Sequence, residues 1–248
     1  MIRTEKLIKS FGDKEVLKSI SLQFEPGKAN LIIGQSGSGK TVLMKCLVGL
    51  HQIDSGNIFF DDRNFPILKE KERKLIRKEI GMLFQGGALF DSLNVEQNIM
   101  FPLNMNSNDS YKQKLERVNF CLSKVDLTGS NKLMPGELSG GMVKRVAIAR
   151  AISLNPKYLF CDEPNSGLDP RTASLIDNLI SDLTKEFNMT TVINTHDLNS
   201  VLEIGDKISY IHNGKLWWEG TNKEILHSTN NELNDFIYTN ELTRRLKK

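Results

Sequence analysis

Four short runs dominated by apolar or β-branched residues recur along the chain, at 29–33, 80–84, 158–161 and 190–195. Runs of this length, bounded by Gly, Pro, Asn or charged residues, predict buried strands of a parallel sheet. Between the first and second run, residues 41–48 (Thr-Val-Leu-Met-Lys-Cys-Leu-Val) carry apolar positions compatible with a helix. Val143, Val146, Ala147, Ala149 and Ile152 give a second, longer helical pattern, with Ser139 placed as its N-cap. Residues 1–24 alternate as antiparallel strands around a turn at Gly12-Asp13, and Asn213-Gly214 is a strong hairpin signal between strands at 208–212 and 215–219. From Gly86 to about Asn155 the pattern becomes helical and more polar, and the breaker cluster at 104–110 (Asn-Met-Asn-Ser-Asn-Asp-Ser) predicts a loop. Residues 230–248 form a tail in which Leu233, Phe236, Ile237 and Leu242 have partly helical spacing, ending in Arg244, Arg245, Lys247 and Lys248. These four charges suit either the helix dipole of a solvated terminal helix or a contact with a partner or an anionic membrane surface.

The polar residues between these elements carry the chemistry. Gly34-Gln35-Ser36-Gly37-Ser38-Gly39-Lys40-Thr41 fits the full GxxxxGK[ST] pattern and lies between a predicted strand and a predicted helix. Its glycines let the backbone curl so that several N–H groups face inward, and the following helix adds the positive end of its dipole. In such a loop Lys40 reaches the β- and γ-phosphates and Thr41 offers its hydroxyl to Mg²⁺. The strand at 158–161 runs into Asp162-Glu163, and a buried strand ends in two carboxylates where the acids meet water or a cation. Asp162 is the candidate Mg²⁺ ligand, direct or through water, and Glu163 the residue that polarises an attacking water. Ser139-Gly140-Gly141 opens the long helix and offers a second set of backbone N–H groups to phosphate.

The phosphate loop, then Leu138-Ser139-Gly140-Gly141-Met142 about a hundred residues later, then Asp162-Glu163, together resemble the ATPase subunit of ATP-binding cassette (ABC) systems. The resemblance covers roughly residues 1–228. It implies an α/β fold with a P-loop NTPase (RecA-like) core, an N-terminal antiparallel β-subdomain and an inserted α-helical subdomain. The core would span about 1–85 and 156–228, the helical subdomain about 86–155, and the helical basic tail 229–248. It further implies ATP and Mg²⁺ as cofactors and a head-to-tail homodimer in which each copy's Ser139, Gly140 and Gly141 reach the other's ATP. Four smaller features follow in the order the family leads one to expect. Gln85 corresponds to the glutamine that senses the γ-phosphate and Mg²⁺ and connects to the transmembrane partner. Ser166-Gly167-Leu168-Asp169 matches the loop that crosses the dimer interface, and His196 the switch histidine at the γ-phosphate. Phe11 stands where a tyrosine more usually stacks on adenine.

A finer resemblance sits in Phe84-Gln85-Gly86-Gly87-Ala88-Leu89-Phe90-Asp91-Ser92-Leu93-Asn94-Val95 and in Met142, which ends the signature where most cassettes have Gln. Both are similar to the Mla (maintenance of lipid asymmetry) type ATPases of phospholipid transport. That implies an integral membrane permease (MlaE-like), an MCE-domain lipid-binding protein, a small accessory subunit, and a peripheral position on the cytoplasmic face of the inner membrane. Gly86, often Ser in the lipid group, and Asn165, Thr in most cassettes, depart from the pattern. An importer ATPase for amino acids or another small polar solute is the alternative, and a non-transport ABC ATPase a remoter one.

Composition narrows the class further. The 248 residues hold 33 basic and 30 acidic side chains, a net charge of +3 that points to no general nucleic-acid binding. Cys46, Cys121 and Cys161 lie far apart without metal-ligand spacing and read as small core residues in a reducing compartment. No apolar run of about eighteen residues offers a membrane span, and Met1-Ile2-Arg3-Thr4-Glu5 has no secretory character, so the path across a membrane is expected from another chain. The chain shows no internal repeat and no sustained heptad pattern, which argues against paired cassettes and against a coiled-coil mechanical ATPase.

Overall fold

In the computed structural model, which describes residues 1–238, the strand β3 (Ala29–Ile33) is buried at every position. Its side chains divide between two apolar clusters. Leu31 and Ile33 join one and Ile32 the other, as a strand with both faces covered requires. The same alternation recurs in β7 (Tyr158–Asp162), where Leu159 and Cys161 point one way and Tyr158 and Phe160 the other, and in β8 (Thr190–Asn194), with Ile193 opposite Val192.

Three layers follow from this split. A four-stranded antiparallel sheet of β1 (Ile2–Phe11), β2 (Lys14–Phe24), β4 (Ser55–Phe60) and the short β5 (Arg63–Asn64) has the order β2-β1-β4-β5. The helix α1 (Lys40–Leu47) packs with it onto one face of the central sheet through Leu43, Met44 and Leu47. The central sheet has the order β10-β9-β3-β8-β7-β6, with β6 (Ile80–Leu83) and β9 (Lys207–His212) parallel to their inner neighbours. At the edge, β10 (Lys215–Gly220) returns antiparallel through the Asn213-Gly214 turn. On the other face lie α3 (Val95–Asn106), α4 (Tyr111–Lys124), α5 (Gly140–Ile152) and α6 (Pro170–Glu186), and one continuous cluster joins Val95, Cys121 and Val146 to Leu31 and Ile193. The remaining helices are α2 (Glu70–Lys78), α7 (Leu198–Ile204) and α8 (Asn231–Ile237).

Local chemistry explains the helix starts. Asn94 and Gln97 form a reciprocal capping box on α3, and Ser110 with Gln113 does so on α4. Ser139, Asp169, Asp197 and Asn230 cap α5, α6, α7 and α8 by accepting backbone N–H groups. In contrast, α1 starts at Gly39 with no side-chain cap, which leaves its first N–H groups available to a ligand.

Two expectations change. The loop predicted at 104–110 begins only after Asn106, because Ser107 N–H still bonds Leu103 O and Asn106 Nδ2 caps Pro102 O, so helical hydrogen bonding outlasts the polar composition. Of the tail, Leu233 and Ile237 are buried in α8, while Leu242 and the four terminal cations lie outside the described residues. Burial raises the thiols of Cys46 and Cys121 to a pKa of about 11 and that of Cys161 higher still, in keeping with inert core cysteines.

Candidate functional site

The turn from β3 to α1 wraps one side of a cavity of about 1190 Å³. Gly34 has φ +150°, and a Cβ there would lie 2.2 Å from Ile211 O, so the loop closes against β9 only with glycine. Gly39, at φ +110°, makes the same allowance beside Leu17 as the chain enters α1. Lys40 is buried, and its Nζ donates to Gly34 O at 2.8 Å and Gln35 O at 3.2 Å. Burial lowers its proton affinity, opposed by the charges of Glu163 and Asp162. The loop's own carbonyls therefore hold the ammonium in place beside the uncapped start of α1. Thr41 is exposed to the cavity and Ser38 lies beneath it, its Oγ without a hydrogen-bond partner among the described residues.

The opposite wall comes from the turns that follow the parallel strands. Asp162, at the end of β7 and not itself on the wall, accepts a hydrogen bond from Asn194 Nδ2 at 3.1 Å across β7 and β8. Glu163 sits at φ +49°, an unusual conformation for a residue other than glycine. The turn is fixed by Glu163 N–H to Asn194 O at 3.0 Å and Ser166 N–H to Glu163 O at 3.2 Å. His196 Nδ1 lies 2.9 Å from Glu163 Oε1, so the exposed imidazole and the mostly covered carboxylate form a pair facing the phosphate loop. Gln85 lines the same space from the segment after β6.

Not every expected residue meets here. Phe11 lies outside the cavity wall; its ring is 46% exposed, edge-on to His51 at 5.3 Å, whereas Val16 of β2 is on the wall. Ser139, Gly140 and Gly141 lie elsewhere, beside the 166–169 loop: a Cβ on Gly140 would contact Leu168 and one on Gly141 would crowd Thr172. Asp169 uses Oδ1 to cap α6 and does not line the cavity, although Ser166, Gly167 and Leu168 before it do. The start of α5 thus lies next to the cavity's 166–168 edge without forming part of its wall.

Sequence reasoning missed the residues that hold the 85–88 segment. Lys144, buried on α5, donates to Gln85 O, and Arg150 on the same helix donates to Ala88 O at 2.8 Å and Gly87 O at 2.7 Å. Burial depresses the proton affinity of both cations. Lys144 and Arg150 on the apolar pattern of the helix were the available signal, since a cation drawn into a core needs a polar partner.

The β3–α1 turn, a held lysine, a carboxylate turn and a histidine gather about one cavity, and the ABC transporter family profile matches residues 17–166. The chain belongs to the ABC transporter family. It is an ATP-binding ABC ATPase subunit. The methionine import ATP-binding protein MetN of Clostridium tetani is 39% identical over 242 residues, covering 98% of this chain and 76% of that protein. The intermembrane phospholipid transport system ATP-binding protein MlaF of Haemophilus influenzae is 36% identical over 237 residues, covering 96% and 90%. The dimeric post-hydrolysis structure of the ATP-binding cassette MJ0796 bound to ADP and Pi aligns with a TM-score of 0.80 at 30% identity, over 90% of this chain and 99% of that one. These matches agree with the α/β P-loop architecture of the cassette. Among its described residues, no helix is long and apolar enough to cross a membrane.

Proposed function

We propose that this ABC ATPase closes as a head-to-tail homodimer on two Mg·ATP, hydrolyses them, and so drives a separate membrane permease for phospholipid of the Mla/MCE type. Dimerisation is supported by the place of Ser139, Gly140 and Gly141 outside the cavity wall: the first α5 N–H groups that Ser139 does not cap are then available to a phosphate held by another copy. The MJ0796 cassette, dimeric with ADP and Pi bound, offers a precedent for a nucleotide-bound dimer. In this reading Lys40 and the 34–39 backbone hold the β- and γ-phosphates. Thr41 and Asp162, with Gln85 nearby, hold Mg²⁺. This donor set suits Mg²⁺, which keeps several waters and needs only one or two protein ligands besides phosphate. Once bound, the ion screens the phosphate charge. Glu163 takes the proton of, or orients, the attacking water, and His196 fixes the Glu163 carboxylate while facing the γ-phosphate position. Phe11 would meet adenine only if its ring turns from His51 toward Val16.

The observation that carries the phospholipid assignment is the 84–95 segment. It is clamped by Lys144 and Arg150, and its exposed Phe84 and Phe90, the latter 4.7 Å from Phe101, offer an apolar seat for a permease helix over the small Gly86 to Ala88. In this reading the chain sits peripherally on the cytoplasmic face of the inner membrane, with an MlaE-like permease and an MCE-domain protein as partners. The similarity to MetN favours a second reading, an amino-acid importer, with the same ATPase chemistry. Purifying the complex from detergent-solubilised native membranes decides between them. An MCE-domain protein and bound phospholipid are expected; a solute-binding protein with no lipid would transfer the assignment to the importer reading.

A further inference from the structure

Behind the Glu163–His196 pair lies a second polar cluster that the reaction outlined above leaves unused. Asn165 stands two residues after Glu163 and is buried, 6% exposed. Its Nδ2 reaches three acceptors: Ser200 Oγ at 2.8 Å, Asp177 Oδ2 at 3.1 Å and Asp197 Oδ2 at 3.2 Å. Ser200 in turn donates to Asp177 Oδ2 at 2.6 Å. Asp177, on α6, is 2% exposed, and Ser200, on α7, 1%. A buried amide and carboxyl cost stability unless paired, and an apolar contact between α6 and α7 would serve packing alone at least as well.

The position of the cluster gives it a use. Beyond the Glu163 N–H to Asn194 O bond, side chains join the Glu163 turn and the His196 turn at two separate places on the cavity wall. His196 Nδ1 touches Glu163 Oε1, and Asn165 Nδ2, itself mostly buried, touches Asp197, the residue next to His196. A single side-chain contact leaves two turns free to pivot about it, whereas two separated contacts fix their relative orientation. Asp177 and Ser200 anchor the Asn165 contact to α6 and α7, and α6 begins directly at the 166–169 loop beside Gly140 and Gly141. A hydroxyl in place of the Asn165 amide, with its single proton, could not donate to two of these acceptors at once.

We propose that Asn165, Asp177 and Ser200 are positioning residues for hydrolysis: they hold the Glu163 turn and the His196 turn in register so that the carboxylate faces the attacking water. The proposal rests on the assignment of Glu163 and His196 given above. It places the effect on the chemical step and not on ATP binding, because none of the three is part of the phosphate loop.

The test is steady-state phosphate release by the purified full-length chain with Mg·ATP, alongside thermal unfolding, for Asn165→Ala, the triple variant Asn165→Leu/Asp177→Val/Ser200→Ala, and Glu163→Gln. Asn165→Ala is expected to lower kcat about tenfold, since small misplacements near a reacting atom are costly, with KM for ATP within twofold of wild type. The triple variant removes the three buried members together and leaves only the partly exposed Asp197, which still caps α7, so its melting temperature is expected to match or exceed wild type while kcat stays low. Wild-type kcat in the triple variant, or a loss of stability in Asn165→Ala without a change in kcat, would overturn the positioning role. Glu163→Gln separates the two claims. If it hydrolyses at the wild-type rate, the Glu163 assignment falls and the positioning role with it. If it is inactive while Asn165→Ala keeps full kcat, only the positioning role falls.

Discussion

Replacing Asp177 by asparagine should stabilise the nucleotide-free protein by about 3 kcal/mol at pH 7.5 and by only about 1 kcal/mol at pH 4.5. Asp177 is buried between α6 and α7, and burial pushes its carboxyl from the ordinary 3.8 up to about 6. The hydrogen bond from Ser200 opposes that rise, the charge of Asp197 adds to it, the Asn165 contact opposes it, and the charge of Glu203 adds again. A group raised in the folded state contributes its full stability below the unfolded pKa, near pH 4, and loses it as the pH climbs through the folded value, near pH 6. The difference between 3.8 and about 6, at about 1.4 kcal/mol for each tenfold change in proton affinity, is about 3 kcal/mol by pH 7.5. Asparagine never ionises, and it keeps an oxygen for the Ser200 hydroxyl. Its amide N–H₂ occupies the place of Oδ1, which has no partner among the described residues, as the acid's own proton would. The assay is urea unfolding of wild type and Asp177→Asn in parallel from pH 4.5 to 8, in the presence of EDTA and without nucleotide. The expected result is a gap of about 1 kcal/mol at pH 4.5 that widens in favour of the variant up to about pH 7 and levels off above. A gap independent of pH would refute the reasoning.

Other outcomes follow from single contacts. Lys40→Ala should weaken ATP binding by at least about tenfold, read by displacement of a fluorescent nucleotide, because the loop then lacks the buried cation that the proposed site assigns to the phosphates. Gly81→Ala should lower stability by roughly 2 kcal/mol in thermal or urea unfolding, since its Cβ would lie 2.4 Å from Ala151 O and 3.1 Å from Pro156 in the packed seam between β6 and α5. Arg150→Lys should cost about 1–2 kcal/mol and speed proteolytic cleavage within 86–94, because a lysine cannot serve the Gly87 and Ala88 carbonyls together. Phe160→Ala, at a fully buried ring in β7, should cost about 3–5 kcal/mol.

What the residues announce by themselves is what depends on near neighbours along the chain. The GxxxxGK[ST] turn, the buried strands around it, the Asp162-Glu163 end of β7 and the Asn213-Gly214 hairpin each need only a few consecutive side chains, so their chemistry is complete in the sequence. The helix at 104–106 was not legible, because backbone bonds already formed in α3 carried it through a polar stretch. The clamp of Lys144 and Arg150 on residues about sixty positions earlier is decided only by how α5 packs against β6. The same holds for the resting place of Phe11 against His51 and for the meeting of Asn165 with Asp177, Asp197 and Ser200. A sequence pattern encodes period and polarity; the partner of a buried polar group is chosen by the crossing of elements distant in the chain, and that crossing exists only once the two apolar faces of the central sheet have been covered.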